Sequence, residues 1–284
     1  MTADKPPRQD LQPKGRRRRP EAELPVITGA LPRVDTGRHQ HRPLALVTGA
    51  TSGIGLAVAQ NLVVDHDLVL MARTAADLDD LAMLLAAESE ARIRTRAVDL
   101  TDDEAVTRAV DELGIDRLDV LVHSAGVEAA ARVDELTPQQ WRDVLDLDLV
   151  AVAHLTGLLL TALRRARGLV VMINSGAGLR TWPGQALYCA AKAGMRALAD
   201  CLREEERGQV RVTTVYPGRV DTPMQKRLHH AKALRLRAEG ADLPRYRAAD
   251  HMTAPSVAAT VRLAVDMPLD ASIDDLSVRP AGML

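Results

Sequence analysis

The sequence predicts a single α/β domain built on a doubly wound, mostly parallel, seven-stranded sheet with helices on both faces. Three observations carry this. From Leu44 onward short apolar runs alternate with helix-period segments, the pattern of βα units. A glycine-rich turn at Gly49, Gly53 and Gly55 directly follows the first apolar run. The 284 residues, 46% hydrophobic and 26% charged, suffice for one large core and are few for two domains.

Residues 1–43 carry Pro6, Pro7, Pro13, Pro20, Pro25, Pro32 and Pro43 among charges without an apolar period, so a basic, proline-rich, disordered extension is expected there, with the domain at 44–284. The strands expected next are Leu44–Thr48, Leu68–Met71, Ile93–Val98, Asp119–His123, Leu169–Asn174, Val210–Val215 and a last one near Asp275–Val278. Between them the periodicity predicts helices at Ile54–Val64, Ala75–Ala87, Asp102–Leu113, about Pro138–Arg167 and Gln185–Arg207, and a last short one before the final strand. Thr101 before three acidic residues predicts a capped helix start, and Thr137-Pro138 predicts another. The charged stretch Met224–Arg247 lacks a clear period and is a candidate lid.

The formal charge of −1 gives no general attraction to nucleic acid or an anionic membrane; the one basic concentration, Arg16–Arg19, has no aromatic partners or folded platform for nucleic acid. No uninterrupted run of about 18 apolar residues is present, which argues against a membrane span; the nearest, Leu147–Leu163, contains Asp148 and His154. Pro25–Pro32 is too short and proline-punctuated for a signal h-region. Cys189 and Cys201 fall in one expected helix, twelve residues apart, too far to pair. A cytoplasmic location is the expectation. His39, His41, His229 and His230 lack the spacing of a metal site, so no metal is expected.

The first turn, Gly49-Ala50-Thr51-Ser52-Gly53-Ile54-Gly55, opens a helix whose first amides need partners. A pyrophosphate supplies them, with glycines permitting close backbone approach and the helix dipole favouring the charge. A nucleotide bound there would reach the end of the second strand, where an acid suits a ribose 2′-hydroxyl and an arginine a 2′-phosphate. That strand leads into Ala72-Arg73, while Asp65 and Asp67 precede it. NADP(H) is therefore preferred over NAD(H), unless Arg73 is merely a solvated charge. Asp99, ending the third strand, suits an adenine amino group or caps the following helix.

Tyr188 and Lys192 stand four residues apart in an expected helix, sharing one face, with Ser175 thirteen residues before the tyrosine at a strand end. A free phenol titrates near 10. A unit positive charge about 4 Å away at an effective dielectric of about 20 contributes roughly 4 kcal/mol, enough to bring it toward neutrality. Tyr188 can then act as acid or base on a carbonyl or alcohol, with Ser175 orienting the reacting oxygen. Trp182, between Ser175 and Tyr188, is a candidate pocket residue; Trp141 is one too, or core.

With the glycine turn and this triad in the same order on a βα frame, the chain resembles the short-chain dehydrogenase/reductase family over about Leu44–Val278. The motifs are Thr48-Gly49-x-x-x-Gly53-x-Gly55, Asp99, Ala125-Gly126, Ser175, Tyr188-x-x-x-Lys192 and Pro217-Gly218 with Thr222. The resemblance implies a Rossmann-like fold and hydride transfer between NADP(H) and a small-molecule carbonyl or alcohol. It also implies cofactor contacts from Leu100, Ser124 and Val220 beside the motif residues, Lys192 on the nicotinamide ribose, Pro217-Gly218 near the carboxamide, and a homodimer or homotetramer. Two departures stand out. The usual Asn-Asn-Ala-Gly reads His123-Ser124-Ala125-Gly126, and the family's asparagine after Trp141 is replaced by Asp148. Asp148 either pairs with Lys192 and opposes its effect on Tyr188, or is protonated by burial and mimics an amide. The alternative function is a catalytically weak NADP(H)-binding sensor or scaffold.

Overall fold

The computed structural model describes residues 42–238, 240–242 and 245–282. The expected extension as far as residue 41, with Arg16–Arg19, His39 and His41, lies outside the described residues. Seven parallel strands, β1 (Leu44–Thr48), β2 (Asp67–Ala72), β3 (Ile93–Ala97), β4 (Val120–His123), β5 (Leu169–Ile173), β6 (Arg211–Pro217) and β7 (Asp275–Val278), form one sheet in the order β3-β2-β1-β4-β5-β6-β7. The helices are α1 (Gly53–Leu62), α2 (Ala75–Ala87), α3 (Asp103–Leu113), α4 (Pro138–Leu145), α5 (Ala151–Ala166), α6 (Ala186–Glu205), α7 (Pro223–Ala238) and α8 (Ala254–Val265).

Central strands are buried on both faces, which is why they read as continuous apolar runs rather than alternations. In β1, Ala45 and Val47 pack with Ala57, Val58, Leu62, Val257 and Val261 of α1 and α8. Leu46 points the other way, toward Val106, Leu155, Leu159 and Met195 of α3, α5 and α6. The edge strand β3 keeps Arg94 and Arg96, which bind Leu113 O and Glu112 at 2.7 and 2.9 Å and so blunt an edge that would otherwise recruit strands.

Three local expectations are corrected. The cap of α3 is Asp102, whose carboxylate accepts from Ala105 N at 2.9 Å, while Thr101 donates from N and Oγ1 to Asp99. The stretch from Met224 is helical as far as Ala238: it contains no internal glycine or proline and is rich in Lys, Arg, Leu and Ala, all good helix formers. Its period is weak because it does not fill the core; Leu234 is 54% exposed. The helix expected over Pro138–Arg167 is divided by a π-helical turn at Asp146–Val150. An 18-residue window within Pro138–Ala166 has mean hydropathy 1.7, so this stretch is long and apolar enough to cross a membrane by length and composition alone, which the criterion of an uninterrupted apolar run misses. Here Val152, Leu155, Leu159 and Leu163 fill the core beneath the sheet.

The strand order reverses between β1 and β4, and a crevice opens at their carboxyl ends, where doubly wound sheets receive ligands.

Candidate active site

The turn after β1 is built by missing side chains. Gly49 has φ +64°, and a Cβ there would lie 2.8 Å from Ala125 Cα; a Cβ on Gly55 would lie 2.3 Å from Gly49 O. Thr48 fixes this contact, its hydroxyl oxygen accepting from Ser124 N and Ala125 N at 3.0 and 3.1 Å. Ser52 is the N-cap of α1 but its side chain caps nothing, and the first turn has no acidic residue, so the amides at this positive helix end remain available to an anion.

A cavity of about 650 Å³ runs from this turn across the sheet, within the usual range for a small-molecule or cofactor site. Gly49, Thr51, Ser52, Gly53 and Ile54 line its phosphate end, Arg73, Asp99 and Leu100 a second part, and Ser124, Ala125 and Gly126 its floor. Asp148, Tyr188, Lys192 and Thr222 line it as well. The open helix end and the glycine cradle therefore fit a dinucleotide. Pro217, Gly218 and Val220 do not line it: Gly218 N donates to Val278 O at 2.7 Å, and Val220 is buried beside Met252.

Arg73 has no hydrogen-bond or ion-pair partner among the described residues. Asp99 lies within reach of its charge. The amide and hydroxyl of Thr101 chiefly hold the Asp99 carboxyl below its ordinary pKa, with Arg73 adding a smaller effect. Thr74, the N-cap of α2, makes no side-chain cap and also lines the cavity. It was missed in the sequence, although a threonine before a helix was a usable signal.

The π-helical turn carries Asp148 inward. Its Oδ1 accepts from Val127 N at 2.8 Å, its Oδ2 lies 3.0 Å from Lys192 Nζ, and a Cβ on Gly126 would lie 3.2 Å from the carboxylate. Asp148 and Lys192 are 0% and 4% exposed. Lys192 Nζ also donates to Ile173 O at 3.4 Å and stands 5.7 Å from the Tyr188 ring centroid. Burial opposes the ammonium, but the charges of Asp148 and Tyr188 outweigh it and raise its pKa.

Tyr188 departs from the expected neutral titration. Burial pushes the phenol above its ordinary pKa; Lys192 pulls it down, but Glu128 and Asp148 act against Lys192, and the hydroxyl of Ser175 assists it. The spacing of Lys192 reports its charge but not the desolvation of the phenol, which is the larger effect.

Asn174, also missed, locks this group together. Its Nδ2 donates to Lys192 O at 3.0 Å and its Oδ1 accepts from Ser175 N at 2.8 Å. A lone amide at the end of the wholly apolar β5 was the available signal. Trp182 is 47% exposed near Gly176, while Trp141 packs with Val144 and Leu187. Cys189 and Cys201 are both free thiols.

Residues 43–233 match the family model described as short chain dehydrogenase. The chain belongs to the short-chain dehydrogenase/reductase family. An uncharacterized oxidoreductase of Staphylococcus epidermidis is 28% identical over 84% of this chain and 96% of its own length. Among solved structures, an alcohol dehydrogenase from the archaeon Thermococcus sibiricus, complexed with 5-hydroxy-NADP, is 25% identical with a TM-score of 0.74, covering 85% of this chain and 98% of its own. An actinorhodin polyketide ketoreductase with NADPH is 27% identical with a TM-score of 0.75, covering 84% and 96%. This short-chain dehydrogenase/reductase is accordingly an oxidoreductase with a nucleotide-binding fold. Within its site Asp148 and Lys192 are in direct contact.

Proposed function

We propose that this oxidoreductase moves hydride between NADP(H) and a small carbonyl or alcohol, with Tyr188 as its acid and base. The observation that carries the reading is the grouping of Tyr188, Lys192 and the Ser175 hydroxyl beside a glycine-cradled cavity. Arg73 and Thr74 are the residues suited to a 2′-phosphate: an unpaired guanidinium beside an uncapped helix start. The nicotinamide supplies the hydride when bound. Ser175 holds the reacting oxygen, and Tyr188, kept protonated by burial, donates its proton to that oxygen during reduction and accepts it back during oxidation. Lys192 holds positive charge beside the phenol and limits the cost of its ionisation. Asp148 moderates that charge, and this favours as a second reading an NADP(H)-binding sensor with weak turnover.

The test is thermal stabilisation by NADPH and NADH, since a ligand of the native state raises its melting point, followed by a carbonyl screen. The expected result is stabilisation by NADPH above NADH, and turnover that falls about a hundredfold or more in Tyr188→Phe. Stabilisation without turnover favours the sensor; stabilisation by neither cofactor overturns the oxidoreductase reading of this site.

A further inference from the structure

The loop after β4 places a carboxyl beside the tyrosine that the proton-transfer steps above do not use. Glu128 Oε1 accepts from Gln185 Nε2 at 3.1 Å, and Gln185 immediately precedes α6, three residues before Tyr188. The other oxygen of Glu128 has no partner among the described residues. Gln185 N donates to Trp182 O at 3.2 Å, and the Trp182 indole edge lies 3.7 Å from where a Cβ on Gly176 would stand, next to Ser175. None of Glu128, Gln185 and Trp182 lines the dinucleotide cavity, although Val127 beside Glu128 does, and the charge of Glu128 acts on Tyr188.

Burial raises the Glu128 carboxyl to about 7, with Lys192 opposing and Asp148 reinforcing the shift. Near neutrality such a group both accepts and donates hydrogen bonds. Placing a further anion beside Glu128 and Asp148 is unfavourable, and a cation would meet Lys192. An uncharged hydroxyl suffers neither penalty and satisfies the free carboxyl oxygen. The half-exposed indole offers a flat apolar face to the carbon chain carrying that hydroxyl.

We propose that Glu128, held by Gln185, binds a hydroxyl on the carbon next to the reacting carbonyl, so that the substrates are uncharged hydroxy-ketones and the corresponding polyols. This rests on the hydride-transfer reading above and names its substrate class. A site built to bind a hydroxyl disfavours the analogue lacking it, because the partly buried carboxyl oxygen of Glu128 then loses that partner.

Acetoin and butanone differ by that one hydroxyl, and pyruvate replaces it with a charge. With NADPH, kcat/KM for acetoin is expected to exceed that for butanone at least about tenfold and that for pyruvate by more. In Glu128→Ala the acetoin-to-butanone ratio is expected to fall to within about threefold, chiefly through KM for acetoin, with Glu128→Gln restoring part of it. A merely structural bracket would lower both ketones together and leave the ratio intact, which overturns the proposal. So does equal use of acetoin and butanone by the unsubstituted enzyme, or a preference for pyruvate. Calorimetric binding of acetoin and butanone to NADPH-loaded Tyr188→Phe, with and without Glu128→Ala, reads the same ratio without turnover. Failure of hydride transfer is thereby distinguished from failure of hydroxyl recognition: equal binding of the two ketones overturns the proposal whatever the turnover.

Discussion

Asp148 Oδ2 lies 3.0 Å from Lys192 Nζ, with both side chains sealed from solvent. The carboxylate withholds part of the lysine's charge from Tyr188, whose phenol stays protonated through neutral pH. Reduction, which needs the proton, is expected to hold its rate across the neutral range and decline only in alkali; oxidation is expected to rise with pH. In Asp148→Asn the phenol ionises more easily and both limbs move to lower pH. The reductase rate at neutral pH is expected to stay within about tenfold of the original, since the tyrosine and lysine remain; a larger rise would mark Asp148 as a brake on catalysis.

Arg73→Ala removes the guanidinium proposed for the 2′-phosphate. A hydrogen bond to a charged group contributes about 1.5–3 kcal/mol, so NADPH affinity is expected to fall about ten- to a hundredfold while NADH affinity changes less than about threefold. Equal losses for both cofactors in a direct binding titration would place Arg73 away from that phosphate.

His123 is wholly buried, its Nε2 2.8 Å from Thr156 Oγ1. The Thr156 hydroxyl donates to Val152 O at 2.7 Å, so the imidazole must donate through Nε2. Burial, with Lys192 adding, lowers its pKa to about 3. The folded state resists protonation that the unfolded chain accepts below about 6.5, so this contribution is complete above that pH and is lost as pH falls. At pH 5 the loss is about 2 kcal/mol. His123→Asn should flatten the decline in melting temperature between pH 7 and 5.

Glu128 works in the opposite sense. Its folded value of about 7 stands above the ordinary 4.5, so the stability it confers is greatest in acid and is lost as pH rises through about 7, by up to about 3 kcal/mol. Glu128→Gln should leave the His123 effect unopposed and steepen the gain in melting temperature from pH 5 to 7.

Gly55→Ala would drive a methyl to 2.3 Å from Gly49 O, a backbone atom that cannot yield by changing rotamer. Urea unfolding is expected to show a loss of at least about 2 kcal/mol, accompanied by lost stabilisation by NADPH. An unchanged midpoint would mean the turn relaxes freely.

Much of this arrangement was legible in the sequence because it rests on local signals. Apolar runs marked strands buried on both faces, Gly49 to Gly55 marked a turn too tight for side chains, and the spacing of Tyr188 and Lys192 fixed a common helix face. What escaped depends on distant neighbours. Glu128 is an ordinary loop acid until Gln185, 57 residues later, folds against it. The titration of Tyr188 could not be inferred from Lys192 alone, since desolvation is set by the whole enclosure. Helix α7 lacked an apolar stripe because it does not pack into the core, and periodicity detects only helices that do.

The widened turn at Asp146–Val150 joins two helical halves that answer to different neighbours. Before it, Val144 packs with Leu187 and Ala191; after it, Val152, Leu155 and Leu159 pack under the sheet. One residue rotates an α-helix by about 100°, so the surplus residue acts as a phase adjuster between two surfaces that a regular helix would not face at once. Winding the same residues as an unbroken α-helix would turn one half away from its core. Within either regular half, an inserted or deleted residue would likewise shift the phase, so substitutions there would be tolerated more readily than changes in length.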